Sequence, residues 1–256
     1  MCVIYACFKK TPTLEELLAG ESCNSDGGGV AYYDLTSKQA VPTYRKGLKA
    51  KEIFEIISDK PLPLLIHFRT ASIGPVKPSL TQPFPMTPSA ETKLTGVGSS
   101  LLMHNGTWGE WDRTMQMALT FSGRKRPKGE WSDTRAMAWI AGNWGLDVLT
   151  DLLAPSLQKL AIMTPEKVFY FPEGSWHKKD GYAQSSSTFR MPKFKGKKYD
   201  FSNIGDWPER EADPVVKIGR VRQEPAVKPL YTDAEVAEAI AALEAEVKSI
   251  PIIACN

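Results

Sequence analysis

Apolar side chains along this chain fall into short runs of β-branched and aromatic residues, separated by segments in which they recur at helical spacing. Runs of the first kind are typical of β-strands. They predict strands over residues 3–8, 30–33, 41–45, 64–66, 100–103, 160–163, 168–171 and 182–184. Helical spacing and helix start signals predict helices that follow Thr13 and Ser132 and that span residues 51–57 and 233–248.

Local signals define two of these helix starts. Residues 13–16, Thr-Leu-Glu-Glu, match a capping box, and Gly20 is expected to end the helix that follows. Ser132-Asp133-Thr134 is typical of an N-cap, with an apolar helix face after it. The chain therefore places its strands first, helices in the middle and strands again. This order favours an α+β fold in which two stacked β-layers are covered by helices.

Two segments lack a regular pattern. Residues 72–92 contain five prolines, which predicts a long surface loop. Residues 190–230 also contain five prolines, here among many charges. We therefore predict a folded domain over residues 1–187 and an extended tail over residues 188–256 that ends in a helix.

Composition narrows the class of protein. The chain has 256 residues, of which 42% are hydrophobic and 24% charged, as in ordinary globular proteins. A net charge of +3 does not call for a nucleic acid or a membrane as partner. Four cysteines without a CxxC pair, and lysines that follow the first apolar segment, differ from secreted chains. We expect a cytoplasmic protein without a secretory signal or spanning helix.

Cys2 is a candidate nucleophile. A thiolate attacks carbonyl carbons, but a free thiol has a pKa of about 8.5 and needs a base. If Met1 is removed, Cys2 carries an α-amine with a pKa of about 7.7–8.0, which can take the thiol proton. The alternative is that Cys2 is an incidental small residue.

Two further segments carry groups that suit a carboxylate and an oxyanion. Arg69 follows a predicted strand directly, and its planar guanidinium matches a carboxylate, with the Ser72 hydroxyl as a second donor. Asn105 and Gly106 follow another strand, where a side-chain amide and a backbone N–H can converge on one oxygen. The alternatives are a structural ion pair for Arg69 and a common turn dipeptide for Asn105-Gly106.

Asp133 stands at a predicted helix start and can bind an ammonium group, although a helix cap is its simpler role. A guanidinium, a carboxylate and an amide-binding corner together describe a site for a free amino acid with an acyl side chain.

The order of these segments resembles the class II glutamine amidotransferases, a branch of the N-terminal nucleophile hydrolases. The resemblance covers about residues 2–187. It is carried by residues 1–4, 24–29, 67–74, 102–106, 132–134 and, after the strand pair at 160–171, residues 174–176.

The resemblance implies a four-layer αββα sandwich of two mostly antiparallel sheets. It makes Cys2 the nucleophile, its own α-amine the general base, and Asn105 and Gly106 the oxyanion hole. The chain departs from the family pattern at several positions, none of which carries a reacting group: Val3, Thr70, Ile73 and Arg135.

For the substrate, the resemblance implies that Arg69 and Ser72 bind the α-carboxylate of L-glutamine and that Asp133 binds its α-amine. Attack on the side-chain amide releases ammonia and leaves a glutamyl thioester that water hydrolyses to glutamate. Neither a metal nor a cofactor is implied. The histidines at 67, 104 and 177 lack zinc-site spacing, and we interpret them as structural.

Only 69 residues, 256 minus 187, follow the amidotransferase-like part, and they contain no nucleotide-binding loop. We expect ammonia to pass to a separate acceptor protein. The alternatives are hydrolysis of another γ-glutamyl or amide substrate and a non-catalytic interaction protein on the same fold. The basic, aromatic stretch at 190–198 is interpreted as a solvated connector rather than a nucleic-acid contact.

Overall fold

The computed structural model of the chain describes residues 2–36, 40–98, 100–154, 156 and 158–187. The basic stretch at 190–198 and the predicted helix at 233–248 lie outside the described residues, and the proposed domain division stays a prediction. Within the described residues the chain forms eleven strands: β1 (Val3–Cys7), β2 (Gly28–Asp34), β3 (Val41–Leu48), β4 (Leu64–Phe68), β5 (Phe84–Pro85), β6 (Thr95–Val97), β7 (Leu101–Asn105), β8 (Lys159–Met163), β9 (Val168–Phe171), β10 (His177–Lys179) and β11 (Tyr182–Gln184).

The same part of the chain contains five α-helices: α1 (Leu14–Cys23), α2 (Ala50–Ile57), α3 (Trp111–Ser122), α4 (Asp133–Trp144) and α5 (Leu146–Leu153). None of these helices combines the length and the apolarity that crossing a bilayer requires.

The strands form two antiparallel sheets. The larger has the order β10-β11-β1-β4-β2-β3-β6, and the smaller has the order β5-β7-β8-β9. In the larger sheet Val3 of β1 pairs with Phe68 of β4. Because these strands are antiparallel, the residue before Val3 and the residue after Phe68 lie side by side at the same end of the strand pair. The pairing therefore makes Cys2 and Arg69 neighbours.

Three apolar clusters separate four layers. Leu17 of α1 and Ile53 of α2 pack with Ile66 on the outer face of the larger sheet. Helices α3, α4 and α5 cover the outer face of the smaller sheet. Between the sheets, Ile4 belongs to the same cluster as Met103. Alternate side chains of β1 serve the first and third clusters, as the two-residue period of a strand requires. The predicted α+β fold, an αββα sandwich of two antiparallel sheets, is confirmed.

The predicted capping box starts α1. The Glu16 N–H donates to Thr13 Oγ1 at 3.3 Å, and the Thr13 N–H donates to Glu16 Oε2 at 2.9 Å. The prediction that Gly20 ends this helix is wrong, because α1 continues to Cys23. Gly20 instead faces the larger sheet, where a Cβ would lie 2.7 Å from Tyr5 Oη. The glycine allows close packing rather than termination.

The prediction of a surface loop over residues 72–92 is wrong for its middle. Residues 80–85 are buried, and β5 adds an edge to the smaller sheet. The Gln82 side chain explains the burial, because Oε1 accepts from the His104 N–H at 2.6 Å and Nε2 donates to Thr134 Oγ1 at 3.1 Å. These bonds satisfy the polar amide within the core.

Candidate active site

Five of the six predicted site residues line one cavity, at the ends of β1, β4 and β7 and at the start of α4. They are Cys2, Arg69, Ser72, Gly106 and Asp133. The wall is completed by Thr70, Ile73, Gln82, His104, Ser132 and Thr134. The sixth predicted residue, Asn105, is adjacent in sequence, but its side chain is turned toward Ser185 and does not belong to the wall. Residues far apart in the sequence thus meet at one edge of the sandwich.

The Cys2 thiol is buried against the backbone of Thr70. Its S–H donates to the Thr70 carbonyl, and the Thr70 N–H donates to Sγ, both at 3.4 Å. Burial raises the pKa of the Cys2 thiol, and the negative charge of Asp133 adds to this, while the Thr70 hydrogen bond and Arg69 oppose it. The thiol is therefore protonated at neutral pH and needs a base before it can attack.

Arg69 is buried and engages the chain that follows it. Its Nη1 donates to the Pro75 carbonyl at 2.9 Å and its Nη2 donates to the Ile73 carbonyl at 3.0 Å. A guanidinium has five N–H donors, so three remain for a ligand. Ser72 is exposed, and its hydroxyl accepts from Thr107 Oγ1 at 3.0 Å, which leaves its own proton free to donate.

Asp133 is the first residue of α4, and the helix is capped by its neighbour. Ser132 Oγ accepts from the Arg135 N–H at 3.2 Å, as an N-cap does. The alternative interpretation of Asp133 as the cap is therefore wrong. Its buried carboxylate accepts from the Trp108 N–H at 3.1 Å and from the Thr134 N–H at 2.8 Å. These two N–H donors hold the carboxylate at the cavity wall.

Asn105 and Gly106 form the corner at the end of β7. Asn105 Nδ2 donates to Ser185 Oγ at 2.8 Å, which uses one of its two amide hydrogens. Gly106 is in contact with two side chains, because a Cβ at this position would lie 2.0 Å from Gln158 Oε1 and 2.9 Å from His104 Nε2. The structure therefore requires glycine at position 106.

Sequence reasoning missed the polar network beneath this corner. His104 Nε2 lies 2.6 Å from Gln158 Oε1, and its Nδ1 lies 3.1 Å from Thr134 Oγ1. Because an amide oxygen only accepts, Nε2 carries the proton and Nδ1 accepts from the threonine. Burial lowers the pKa of His104, and Asp133, 3.8 Å from Nδ1, opposes this. The neutral His104 ring therefore links the Asn105–Gly106 corner to the start of α4.

The other two histidines lie away from the cavity wall. His67 is completely buried in β4, and burial together with the charge of Arg69 lowers its pKa to about 3. His177 is exposed, and its Nε2 lies 3.2 Å from Ser187 Oγ. Among the residues that the structure describes, no cluster of three or more metal-ligating side chains occurs.

The cavity is small. Its volume is about 10 Å³, which matches the space of about one water molecule. A free amino acid fits only after part of the wall moves. Two residues of the wall, Ser72 and Ile73, belong to the largely exposed segment at residues 72–77, which Arg69 holds through two carbonyls.

Comparison with known proteins gives similarities to solved structures. No family model matches the chain, and no curated protein sequence matches it. A glutamine phosphoribosylpyrophosphate amidotransferase from B. subtilis, solved with ADP and GMP, is 18% identical with a TM-score of 0.44. The match covers 72% of this chain and 42% of that chain.

A structure described as the allosteric regulatory enzyme of purine biosynthesis is 20% identical, also with a TM-score of 0.44. That match covers 72% of this chain and 41% of the other. The chain thus corresponds to less than half the length of either protein.

Proposed function

We propose that this chain is a glutaminase of the glutamine amidotransferase type, with Cys2 as its nucleophile and L-glutamine as its substrate. The observation that carries the proposal is the convergence of Cys2, Arg69, Ser72, Gly106 and Asp133 on one cavity. The site combines a thiol, a guanidinium, a carboxylate and the Asn105–Gly106 corner. Together these match the functional groups of a single small zwitterion.

The burial of the Cys2 thiol supports a base on the same residue. Removal of Met1 gives Cys2 a free α-amine with a pKa of about 7.7–8.0, close to neutral pH. This amine takes the S–H proton, and the sulfur attacks the side-chain amide carbon of glutamine. The carbonyl π bond opens as the C–S bond forms, and the negative charge moves to the oxygen.

The Asn105–Gly106 corner is the proposed site for that oxygen. The second Nδ2 hydrogen of Asn105 and the N–H of Gly106 donate to it. As the oxyanion collapses, the C–N bond breaks and the α-ammonium of Cys2 returns its proton to the leaving nitrogen, which departs as ammonia. Water, activated by the same amine, then hydrolyses the glutamyl thioester to glutamate and restores the thiol.

The ends of the substrate are assigned by charge. Arg69 and Ser72 bind the α-carboxylate, and Asp133 binds the α-ammonium. Because the cavity is too small for an amino acid, we propose that glutamine binding displaces the 72–77 segment, which Arg69 holds through the carbonyls of Ile73 and Pro75. In this proposal the ammonia then passes to a separate acceptor protein.

One observation favours a second candidate, a non-catalytic binding protein on the same fold. A volume of about 10 Å³ excludes glutamine from the closed cavity. If the 72–77 segment does not move, glutamine does not reach Cys2. A glutamine-mimicking electrophile separates the two candidates, because it reacts with Cys2 only if the cavity opens to a ligand of that size.

The test uses the purified full chain. We expect an intact mass that lacks Met1, glutamate release from glutamine, and one added label at Cys2 after treatment with a diazoketone analogue of glutamine. Cys2→Ala removes both activity and label. Cys23→Ala, which removes an exposed thiol, is the matched control and keeps both. Retained Met1, or equal glutamate release by wild type and Cys2→Ala, would show that the proposed function is wrong.

A further inference from the structure

Ser185 holds the strand that carries the candidate nucleophile. It follows β11, and its N–H donates to the Ile4 carbonyl at 3.0 Å. Its Oγ accepts from the Ile4 N–H at 2.8 Å. Both polar backbone groups of the residue two positions after Cys2 are therefore bonded to one serine, which is almost completely buried.

The same serine contacts the candidate oxyanion hole. Ser185 Oγ also accepts from Asn105 Nδ2 at 2.8 Å. Its carbonyl accepts from Lys159 Nζ at 2.7 Å, and Lys159 also donates to the Ser175 carbonyl at 2.6 Å. Lys159 lies opposite Asn105 in the pairing of β7 with β8. Ser185 is thus bonded to β1 of the larger sheet and to β7 and β8 of the smaller one.

These bonds fix the relative position of two groups that belong to different sheets. The two bonds to Ile4 fix the position of β1 relative to Ser185. The bond from Asn105 Nδ2 fixes the orientation of the Asn105 amide plane. With one amide hydrogen on Ser185, the direction of the second is determined by the planar geometry of the amide. A buried hydroxyl that accepts two N–H bonds cannot be replaced by a methyl group without leaving two unpaired donors.

We propose that Ser185 is a positioning residue that sets the distance between the Cys2 sulfur and the oxyanion donor of Asn105. The proposal rests on the proposed function, and it adds a residue that no motif indicates. Ser185 does not touch substrate; it acts through Asn105, whose amide it holds in place relative to β1.

The test compares Ser185→Ala with Ser185→Thr in the full chain. Loss of the hydroxyl should lower kcat for glutamate release about 10–100-fold, because small displacements of catalytic groups have effects of this size. KM should change less than about two-fold, since Arg69 and Asp133 are untouched. Ser185→Thr keeps the acceptor and should restore kcat to within about three-fold of wild type. Ser187→Ala is the matched control, since among the described residues its hydroxyl bonds to exposed His177, and its loss should leave kcat unchanged.

A double-mutant cycle separates positioning from stability. Asn105→Ala alone should lower kcat about 100–1000-fold. If Ser185 acts through Asn105, adding Ser185→Ala to that variant should lower kcat less than about three-fold further. Thermal unfolding of each variant shows whether the assays contain folded protein, and Ser185→Cys, of similar volume and weaker acceptor strength, replaces Ser185→Ala if that variant does not fold.

The outcomes are distinct. Full activity of folded Ser185→Ala, or a multiplicative loss in the double variant, overturns the positioning role while the proposed function stands. Absence of Cys2-dependent glutamate release in the wild-type chain overturns both proposals. A selective, non-additive loss of kcat supports the positioning role.

Discussion

Gly106 lies so close to the side chain of Gln158 that a Cβ on the glycine would fall 2.0 Å from Gln158 Oε1. The same oxygen accepts from His104 Nε2 at 2.6 Å, and Gln158 Nε2 donates to the Thr107 carbonyl at 3.0 Å. The Asn105–Gly106 corner is therefore fixed by the packed side chains of His104 and Gln158.

Gly106→Ala should abolish glutamate release. The new methyl group must displace the His104–Gln158 bond, which moves the Gly106 N–H out of position and costs at least about 100-fold in kcat. Gly109→Ala is the control, because a Cβ there meets no atom within 4 Å. Steady-state assays of both variants, with circular dichroism to show folding, check the prediction. Equal activity of folded Gly106→Ala and Gly109→Ala would contradict the proposed oxyanion hole.

Asp133→Asn should raise KM for glutamine. The asparagine oxygen still accepts the Thr134 N–H, while its Nδ2 replaces the oxygen that accepted from the Trp108 N–H, and the negative charge that pairs with the α-ammonium is lost. Hydrogen bonds to charged groups contribute about 1.5–3 kcal/mol, which corresponds to about a 10–100-fold rise in KM. Asp147→Asn, in the first turn of α5, controls for the charge change at a helix start. An unchanged KM for Asp133→Asn would remove Asp133 from the binding site.

Lys46→Met should stabilise the fold at neutral and acidic pH. The Lys46 ammonium is almost completely buried 4.1 Å from the centroid of the Phe84 ring, and it has no hydrogen-bond partner among the described residues. Burial, with a smaller effect of Arg135, lowers the pKa of Lys46 to about 7. Replacing a buried charge with an apolar side chain of similar volume stabilises by up to about 4 kcal/mol.

The pH dependence gives the Lys46 prediction a second readout. Because the folded-state pKa lies below that of an unfolded lysine, about 10.4, the unfolded chain binds more protons between about pH 7 and 10.4. The free energy of unfolding of the wild type therefore rises across this window, and Lys46→Met should flatten the rise. Urea denaturation at pH 6 and pH 9 measures it, with exposed Lys51→Met as control. A parallel pH profile for wild type and Lys46→Met would contradict the burial of a charge.

Glu16→Gln should weaken the fold at neutral pH and not at acidic pH. Burial alone raises the pKa of Glu16, but hydrogen bonds from Lys179, the Thr13 N–H and Tyr182 outweigh it and lower the pKa to about 2. This stabilisation is present above the unfolded pKa of about 4.3 and is lost as the pH falls toward 2. The Glu16–Lys179 pair is partly exposed, so Glu16→Gln should lower the free energy of unfolding at pH 7 by less than about 1 kcal/mol. Denaturation midpoints at pH 7 and pH 3 test this, with exposed Glu55→Gln as control.

The strands were predictable because their side chains are buried on both faces of a sheet, and this burial requires runs of apolar residues that are visible in the sequence. All eight predicted strands occur; two match the predicted ends and the ends of the others shift by at most three residues. Helices α3 and α5 were missed, since neither begins with a side-chain cap. The edge strands β6 and β10 were missed because their residues are largely exposed and show no apolar alternation. Local signals are weakest where an element is ordered by its neighbours.

The candidate site was predictable only in part, for a related reason. Arg69 and Asn105 lie at strand ends, and strand ends can be read from the sequence. Ser185 and Gln158 lie 80 and 54 residues from the partners that they hold, Asn105 and His104, and no local pattern records such contacts. Tertiary packing alone brings these supporting side chains to the site.

The burial of Cys2 has a consequence for the chemistry of oxidants and alkylating agents. Cys23 is exposed while the Cys2 sulfur is enclosed and bonded to the Thr70 backbone. Peroxide or a maleimide should therefore consume Cys23 well before it reaches Cys2. A reagent that opens the cavity, as a substrate analogue is expected to do, should be the kind that reaches the sulfur at position 2.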